Sequence, residues 1–214
     1  AKIVPTLVGG SADVASSVNT ALKGEKVFGP NSREGRNFNF GIREFGMAAI
    51  GNGMLLHGGL RPYVGTFLVF SDYMKNAIRL SALSHLPAIY VFSHDSVALG
   101  EDGPTHQPIE HLAMLRSMPN VNVWRPADAY ETHLSWLEAI KSKKTPNVLV
   151  LSRQNLPLLE RPDFFGEFAR GAYILAKEEE KLDFTIIATG SEVSLALEAK
   201  TLLRAEGVDV RVVS

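Results

Sequence analysis

The stretch YVGTFLVFSDYMKNAIRLSALSHLPAIYVFS, residues 63–93, decides the fold class of this chain. It opens with an apolar run rich in aromatic residues, continues with a helical pattern over 72–85, and closes with a second apolar run over 88–93. These apolar runs lack regular polar alternation, which is typical of strands buried on both faces of a sheet. A strand, a helix and a strand in this order predict one crossover unit of a parallel sheet.

The same alternation continues on both sides of this unit. Further strands are predicted at 2–8, 38–42, 121–126 and 147–152, and further helices at 43–57, 107–117 and 128–142. The last helix begins with DAYE, Asp128 to Glu131, which resembles a capping box. Pro119 ends the helix before it, because the residue preceding a proline is pushed out of the α region. We therefore expect an α/β fold with a parallel sheet flanked by helices.

The pattern restarts after RPDFFGEFARG, residues 161–171. A strand over 184–189, a helix over 191–206 and a strand over 208–213 form one crossover unit, which is too small to close a sheet. We therefore expect one domain over 1–171, followed by a truncated second α/β domain over 172–214. The chain starts without an initiator methionine and stops just after an apolar run, as expected for a fragment or the subunit of a split gene.

Composition excludes several classes of function. The 22 Lys and Arg are balanced by 23 Asp and Glu, so no broad basic face for nucleic acid or anionic membrane is expected. The absence of cysteine excludes disulfides, thiolate catalysis and thiolate zinc sites, and it agrees with a reducing cytoplasm. The N-terminus does not resemble a secretory signal, and no apolar run approaches the roughly 18 residues of a membrane span. We expect a cytoplasmic protein that binds neither nucleic acid nor membrane.

Polar and aromatic side chains follow the predicted strands, at the points where the strands end. In open parallel sheets ligands bind outside the carboxyl ends of the strands, so these residues are expected to share one edge. They are Ser11, Asp13, Arg43, Glu44, Phe67, Phe70, Tyr73, His94, Asp95, Arg125, Asp128 and Arg153. The stretch HDSVALGEDGPTHQPIEH, residues 94–111, is therefore predicted to belong to a ligand-binding site rather than to a surface turn without a function.

Some of these features also have a purely structural interpretation. Glu44 is either a charge that caps the helix over 43–57 or a partly buried acid poised for proton transfer, and spacing alone favours the cap. As a bare pattern, the rings of Phe67, Phe70 and Tyr73 are more typical of a core than of a pocket for a flat heterocycle.

The histidines of the 94–111 stretch, His94, His106 and His111, raise the question of a metal. Their spacings of twelve and five residues match no compact zinc motif, so we assign no metal ligand to this chain. Hydrogen bonding to a polyhydroxylated substrate suits a mixture of His, Asp and Glu better, because it offers both donors and acceptors. Arg153 is either an ordinary surface arginine or a phosphate ligand, since its planar guanidinium can donate two hydrogen bonds to a phosphate.

Taken together, these motifs resemble those of the transketolase family. The resemblance covers essentially the whole chain, and it is carried by GGSAD, GIREFGMAAIGNG, GTFLVFSDYMKNAIRLSAL, HDSVALGEDGPTHQPIEHLAMLRSMPN, RPAD, LSRQNLP and IIATGSEV. It implies the thiamine-diphosphate-binding pyrimidine-domain fold, followed by the start of the family's C-terminal domain. It also implies transfer of a two-carbon ketol unit from a ketose phosphate to an aldose phosphate, with thiamine diphosphate carrying the chemistry.

The resemblance implies roles for the residues near the cofactor. Glu44 matches the family's catalytic glutamate, which hydrogen-bonds the N1′ atom of the cofactor's aminopyrimidine. Asp13 matches an acidic residue near the cofactor. Phe67, Phe70 and Tyr73 match the aromatic pocket around the pyrimidine ring, so the resemblance overrides the core interpretation that spacing alone favours.

The resemblance also implies roles for residues near the sugar phosphate substrate. His94, Asp102 and His106 match residues that hold the sugar's hydroxyl groups, and His106 is also expected to take part in catalysis. Arg153 and Ser17 match phosphate ligands at the far end of the sugar. Because ADVASSVN departs from the family's A-P-S-N pattern and looks one residue longer, the serine before Ser17 is an alternative ligand.

Finally, the resemblance implies a partner. The family binds the cofactor's diphosphate and its Mg²⁺ or Ca²⁺ with an N-terminal domain that carries a G-D-G…N signature, and GEDGP is not that signature. The active site forms between that domain and the pyrimidine domain of a second subunit. This chain is therefore expected to carry half a site, to be inactive alone, and to act as a homodimer or with a partner chain that faces its apolar segment 44–57.

Other functions stay open at this point. One is another thiamine-diphosphate enzyme, such as deoxyxylulose-phosphate synthase or the beta chain of the decarboxylating dehydrogenase component, since these share the pyrimidine-domain architecture. The other is a non-catalytic dimerisation module. The 94–111 stretch and LSRQNLP favour transketolase over both enzymes.

Overall fold

A computed structural model describes residues 2–161 and 165–214. The chain divides into two compact units. The first unit contains the residues up to Val123 together with Ala139–Arg153, and the second contains Trp124–Glu138 and Gln154–Ser214. The domain division that we expect at residue 171 stays a prediction.

The larger sheet has six strands with helices between them. Its strands are β1 (Leu7–Ser11), β2 (Asn37–Asn39), β3 (Arg61–Phe67), β4 (Ile89–Ser93), β5 (Asn122–Trp124) and β6 (Asn147–Val150). The helices along this part of the chain are α1 (Ala15–Val18), α2 (Glu44–His57), α3 (Ser71–Leu83), α4 (His111–Arg116) and α5 (Ala129–Lys141). The strand order is β2-β1-β3-β4-β6-β5. The pairs β1–β2, β1–β3, β3–β4 and β4–β6 are all parallel, which confirms the α/β fold with a parallel sheet.

The first strand lies further along the chain than the apolar run over 2–8 predicts. The backbone turns before it, because the N–H of Leu7 donates to the carbonyl of Val4 at 3.1 Å. Pro5 lies inside this turn and has no N–H to give to a sheet ladder. β1 therefore begins at Leu7 and extends to Ser11.

Two glycines allow β1 to pack between its neighbours. A Cβ atom at Gly9 would collide with the carbonyl oxygen of Tyr63 on β3, and one at Gly10 would collide with that of Phe38 on β2. A side chain at either position would therefore push the strands apart. The glycines thus allow β1 to pair closely with both β2 and β3.

The core of the first unit lies between the sheet and its helices, and a buried polar group joins α2 to α3. Asn52 on α2 donates to the carbonyl of Ala77 on α3 at 2.9 Å. The hydroxyl of Tyr90 on β4 donates to the Asn52 side-chain carbonyl at 3.1 Å and contacts the Ser81 hydroxyl at 3.0 Å. Burial raises the pKa of Tyr90 to about 12. These bonds fix the position of α2, whose first residue is Glu44.

The start of α5 forms much as the DAYE motif predicts. A carboxylate oxygen of Asp128 accepts from the N–H groups of Tyr130 and Glu131, both at 3.0 Å. The Glu131 carboxylate reaches back to the N–H of Ala127 at 2.8 Å, one residue further than in a standard capping box. Both carboxylates are buried, so the cap also places two negative charges in the second unit.

The second unit contains a small sheet with the order β7-β9-β8. Its elements are α6 (Phe165–Phe168), β7 (Ile174–Ala176), β8 (Phe184–Ile187), α7 (Glu192–Ala205) and β9 (Val210–Val213). β8 and β9 are parallel and are joined through α7, which is the predicted crossover unit, whereas β7 pairs with β9 in antiparallel orientation. Residues 162–164 of the segment 161–171 lie outside the described residues. In the described ranges, no helix has the length and apolar character needed to cross a membrane.

Candidate functional site

A cleft in the first unit collects residues from three strand ends. It has a volume of about 400 Å³ and is lined by Ala12, Asp13, Val14, Ile42, Glu44, Phe70 and Tyr73. The first three residues follow β1, Ile42 and Glu44 follow β2, and the two aromatic residues follow β3. Since these strands are parallel, their carboxyl ends meet at one edge, as the sequence predicts for this group.

Glu44 enters the cleft as the first residue of α2. Its side chain is half-buried and lies where the free N–H groups of the helix favour a negative charge. The guanidinium of the neighbouring Arg43 donates to the carbonyl of Phe40 at 2.8 Å. It forms no ion pair with Glu44 in the described part of the chain. Gly41 has a φ of 71°, which L side chains rarely adopt, and this turn leaves Ile42 80% exposed at the cleft. The cleft therefore combines a carboxyl group with an exposed apolar surface.

Five rings form a continuous cluster beside the cleft. Phe67 lies between Phe70, at 5.9 Å between ring centroids, and His94, which stacks on it at 3.8 Å. Tyr73 stacks on Phe70 at 6.1 Å. His106 approaches both phenylalanines edge-on, at 6.0 Å from Phe67 and 5.3 Å from Phe70. The rings therefore connect the cleft to the stretch 94–111.

His94 is the buried end of this cluster. It has a φ of 59°, in the left-handed region where histidine occurs more often than most residues, and its Nδ1 atom lies 2.9 Å from the Ser93 hydroxyl. Burial is the main cause that lowers the pKa of His94; the negative charge of Asp102 opposes this shift, and the positive charge of Arg153 adds to it. His94 is therefore uncharged at neutral pH and can both donate and accept a hydrogen bond.

The remaining predicted site residues are exposed or half-buried. Asp102 lies in a turn and is exposed, and His106 is half-buried with its Nδ1 atom 2.8 Å from the Thr105 hydroxyl. Arg153 forms a 3.5 Å ion pair with Glu101, in which the side chains are 44% and 83% exposed. Such a pair is weak, so the Arg153 guanidinium stays available to an anion.

The serines at positions 16 and 17 are both exposed on α1, so the choice of phosphate ligand between them stays open. Ser17 remains the ligand that the family resemblance implies, and this assignment stays a prediction.

Two residues that the sequence places at the shared edge, Arg125 and Asp128, belong to the second unit and do not line the cleft of the first. Arg125 donates to the carbonyl of Thr189 at 2.7 Å and is ion-paired with Glu192. Asp128 is ion-paired with Arg161. All of these residues belong to the second unit, where the charges of Arg125 and Asp128 have protein partners.

Sequence reasoning also missed some residues at this edge. Val14 and Ile42 line the cleft without carrying a polar group, and only the glycine before Ile42 could have indicated an exposed turn. By contrast, Asp95 is at this edge as the sequence predicts; it is buried, and its charge raises the pKa of His94, against the larger effect of burial. The third histidine, His111, does not join the ring cluster; its Nε2 atom lies 3.2 Å from a carboxylate oxygen of Asp72.

Comparison with protein families accounts for nearly the whole chain. The transketolase pyrimidine-binding domain matches residues 1–158, and the transketolase-like C-terminal domain matches residues 171–214. The chain belongs to the transketolase family. Transketolases are transferases, so the family comparison confirms the enzyme class that the motifs indicate.

Individual transketolases agree with this membership. The chain is 56% identical over 211 residues to a probable transketolase of Streptococcus pneumoniae and 55% identical over 216 residues to a transketolase of Halalkalibacterium halodurans. These alignments include 99% and 100% of this chain, respectively, but only 32% of each relative. The chain thus spans about a third of the length of the curated transketolases that it matches.

Solved transketolases share the fold. A Pichia stipitis transketolase in complex with sedoheptulose 7-phosphate superposes with a TM-score of 0.94 at 47% identity, over 99% of this chain and 32% of that one. A Campylobacter jejuni transketolase gives 0.93 at 43% identity, over 100% and 33%. A split-gene transketolase, solved as an inactive β4 tetramer, gives 0.77 at 31% identity, over 99% of this chain and 65% of that one.

Proposed function

We propose that this chain supplies the pyrimidine-binding half of a transketolase active site. The complete enzyme would transfer a two-carbon ketol unit from a ketose phosphate to an aldose phosphate. The observation that carries this proposal is the cleft that holds the Glu44 carboxyl together with Asp13, Phe70 and Tyr73. Thiamine diphosphate, when bound, supplies the group that stabilises a carbanion in this chemistry.

The residues of the cleft fit the pyrimidine end of that cofactor. Tyr73 is 63% exposed and Ile42 is 80% exposed, so the cleft offers apolar surface that a flat ring can cover. Glu44 would hydrogen-bond the N1′ atom of the ring, and Asp13 would lie near the cofactor. In the described part of the chain, neither carboxylate has a side-chain hydrogen bond of its own, so both are free to bind a ligand.

The stretch 94–111 would hold the sugar. His94 is uncharged and buried against Phe67, so it would orient a hydroxyl group without adding charge to the site. Asp102 would hold a further hydroxyl group. His106 belongs both to the ring cluster, where its ring is steeply inclined to those of Phe67 and Phe70, and to the polar stretch, and we assign it a role in both substrate binding and catalysis.

The phosphate of the sugar would lie further along the same edge. Arg153 presents a partly exposed guanidinium whose planar fork matches a phosphate. Ser17 would add a hydroxyl group. These two residues would set the distance from the reacting carbon to the phosphate, and so the length of the substrate.

A partner is needed to complete this site. The 214 residues contain no G-D-G…N signature for the cofactor's diphosphate and its Mg²⁺ or Ca²⁺. On α2, the side chains of Phe45, Ile50 and Leu56 are 50%, 47% and 70% exposed, so the apolar segment 44–57 has a face that a second subunit would cover. We propose a homodimer or a partner chain that carries the diphosphate-binding domain. The split-gene transketolase whose β4 tetramer is inactive supports this view.

An assembly experiment tests the proposed function. The purified chain alone is expected to show no ketol transfer, and mixing it with a polypeptide that carries the family's diphosphate-binding domain should restore turnover with xylulose phosphate as donor. Turnover by the chain alone would contradict the half-site.

The same assembled enzyme separates the rival functions. Preference for pyruvate over xylulose phosphate as donor would favour a deoxyxylulose-phosphate synthase or a decarboxylating dehydrogenase component. Formation of a stable complex without any turnover would favour a dimerisation module.

A further inference from the structure

Three potential metal ligands lie together at the first turns of α3 and α4. Asp72 is the second residue of α3, Glu110 directly precedes α4, and His111 begins it. The His111 Nε2 atom lies 3.2 Å from an Asp72 carboxylate oxygen, and its Nδ1 atom lies 4.0 Å from a Glu110 carboxylate oxygen. One ligand atom from each residue lies within 4.8 Å of the others, and no second group of this kind occurs in the described ranges.

His111 gives this cluster a feature that acidic side chains alone lack. Its side chain is only 4% exposed, and within the described residues neither ring nitrogen has a hydrogen-bond partner. Buried imidazole nitrogens normally have one, because leaving them unpaired costs stability. The Asp72 oxygen is near enough to Nε2 but does not meet the directional requirement of a hydrogen bond.

The 3.2 Å approach has the length expected for two ligands of one metal ion. Zinc binds imidazole nitrogen and carboxylate oxygen at about 2.0–2.2 Å, and a tetrahedral angle between two such bonds separates the ligand atoms by about 3.3 Å. Two ligands of one ion also point at the ion rather than at each other. A cation bound by both the His111 Nε2 atom and Asp72 would account for this misaligned contact.

We propose that Asp72, Glu110 and His111 bind a divalent transition-metal ion of the zinc class. The imidazole favours Zn²⁺, Ni²⁺ or Cu²⁺ over Mg²⁺ and Ca²⁺, which prefer sites made only of oxygen. The Asp72 and Glu110 side chains are 52% and 70% exposed, so an ion can enter from solvent and keep water in its remaining position. This ion differs from the Mg²⁺ or Ca²⁺ that accompanies the cofactor diphosphate in the family.

A bound ion would join two sides of the candidate active site. Asp72 is adjacent to Tyr73, which lines the cleft, whereas Glu110 and His111 close the stretch that contains His106. Fixing α3 to α4 would therefore hold the aromatic residues and the polar stretch in one arrangement. No sequence pattern indicates this cluster, because Asp72 lies on a different helix and is 38 residues before Glu110 along the chain.

Calorimetric titration of the 214-residue chain with Zn²⁺ tests the proposal. We expect saturable binding of one ion per chain and no comparable binding of Mg²⁺. Asp72→Asn and Glu110→Gln keep the size of each side chain and change exposed positions, so both variants should fold. Each should weaken Zn²⁺ binding by at least about tenfold, since even changes outside the ligand set of metal sites have effects of about that size. Glu198→Gln, an exposed position on α7, is the matched control and should bind as the parent chain does.

Two results would overturn the metal site. One is the absence of saturable Zn²⁺ binding. The other is unchanged affinity in both Asp72→Asn and Glu110→Gln, which would mean that Zn²⁺ binds exposed histidines elsewhere, such as His57, His85 or His133. Nitrogen-15 NMR of the imidazoles gives an independent readout without any change to the buried ring: the His111 ring nitrogens should shift on addition of Zn²⁺, and an unshifted His111 beside shifted exposed histidines would contradict the proposal.

Discussion

The two units of this chain each contain a cluster of charged and hydrogen-bonding side chains, and the clusters differ in how their groups are paired. In the cleft of the first unit, the Glu44 and Asp13 carboxylates have no side-chain hydrogen bond to any described residue, and the aromatic Tyr73 is largely exposed. In the second unit, Asp128 and Glu131 are buried and fully engaged. The same residue types therefore occur in two arrangements: an open one, whose carboxylates have no side-chain hydrogen bond, and a closed one, whose carboxylates are buried and paired with other protein groups.

The closed arrangement is a network around two carboxylates. Arg161 is ion-paired with Asp128 and lies 3.7 Å from Glu131. The Tyr173 hydroxyl donates to Glu131 at 2.6 Å, and the Ser214 hydroxyl donates to the same oxygen at 2.8 Å. Burial, followed by the hydrogen bond to Glu131, raises the pKa of Tyr173. Each group is satisfied by another protein group, which is the requirement for buried polar side chains.

The difference separates a structural role from a binding role. Polar groups that are hydrogen-bonded to one another are not available to bind a ligand. The network is therefore expected to stabilise the second unit rather than to form a binding site. Polar groups that meet at a sheet edge with few protein partners are available to a ligand. Substitutions in the network should therefore change stability, and substitutions in the cleft should change activity.

The largest effect is expected for Glu44→Gln in the complete enzyme. Gln keeps the size of the side chain but cannot exchange a proton, so kcat should fall by about 10²–10⁴-fold, as for the loss of a proton-transfer group. Steady-state kinetics of the assembled enzyme measures this change. The free energy of unfolding should change by no more than about 1 kcal/mol, because Gln loses only the attraction between the negative charge and the first turn of α2.

Glu206→Gln, at an exposed position after α7, is the control for the loss of a carboxylate and should leave kcat unchanged. Undiminished turnover in Glu44→Gln would remove Glu44 from the mechanism and with it the main distinction between the two clusters.

In the closed network, Arg161→Met should lower the stability of the second unit and leave kcat unchanged, which is the reverse of the effect expected for Glu44→Gln. Removing the cation leaves Asp128 and Glu131 buried without their ion-pair partner, which typically destabilises a protein by about 3–5 kcal/mol. Hydrogen exchange of the backbone amides of β7 and β9 measures the loss in the second unit itself. Arg170→Met is the matched control, because Arg170 pairs with Glu167 at the surface, where both side chains are more than half exposed, and a loss within about 1 kcal/mol is expected.

If the backbone amides of β7 and β9 were equally protected from hydrogen exchange in Arg161→Met and Arg170→Met, the buried network would not stabilise the second unit. The kinetic constants of the assembled enzyme should be the same in both variants, since neither residue lines the cleft.

A smaller effect is expected from pH, through His94. Burial lowers the pKa of His94, so the unfolded chain binds a proton at a higher pH than the folded chain does. The free energy of unfolding should therefore fall as pH decreases from about 6.5 towards the lower pKa of the folded state, and it should rise again with pH. Urea unfolding followed by hydrogen exchange in β4 at several pH values measures the slope.

In His94→Gln the part of this slope that comes from His94 should disappear. An NMR titration gives the complementary check, because the ring resonances of His94 should change below pH 6.5 in the folded chain. A midpoint at or above that pH would contradict the depressed pKa.

Much of the fold could be predicted from the sequence, because the apolar runs mark strands that are buried on both faces. The helices α2, α3, α5 and α7 lie within two residues of their predicted ends, and the parallel class follows from their alternation with strands. The helix predicted over 107–117 begins only at His111, because a series of turns with Pro104 and Pro108 occupies the residues before it. Local signals therefore gave the elements but not every boundary.

The site was predictable only in part, for a physical reason. Strand ends indicate the residues that share an edge, which placed Asp13, Glu44 and Tyr73 together. Whether a charge at that edge is open or paired depends on groups that are distant in the sequence. Arg125 is paired with Glu192 on α7, and no pattern around Arg125 indicates that contact.

The smallest effect should come from the exposed ion pair at the edge of the site. In the proposed site Glu101 would compete with a substrate phosphate for Arg153, and a pair this exposed is worth at most about 1 kcal/mol. Glu101→Gln should therefore lower the KM for the sugar phosphate by no more than about fivefold and leave kcat unchanged. Arg153→Gln is the counterpart and should raise KM, because the phosphate loses its charged partner. A higher KM in Glu101→Gln would mean that Glu101 holds Arg153 in its binding position, so that even this open part of the site depends on a contact within the protein.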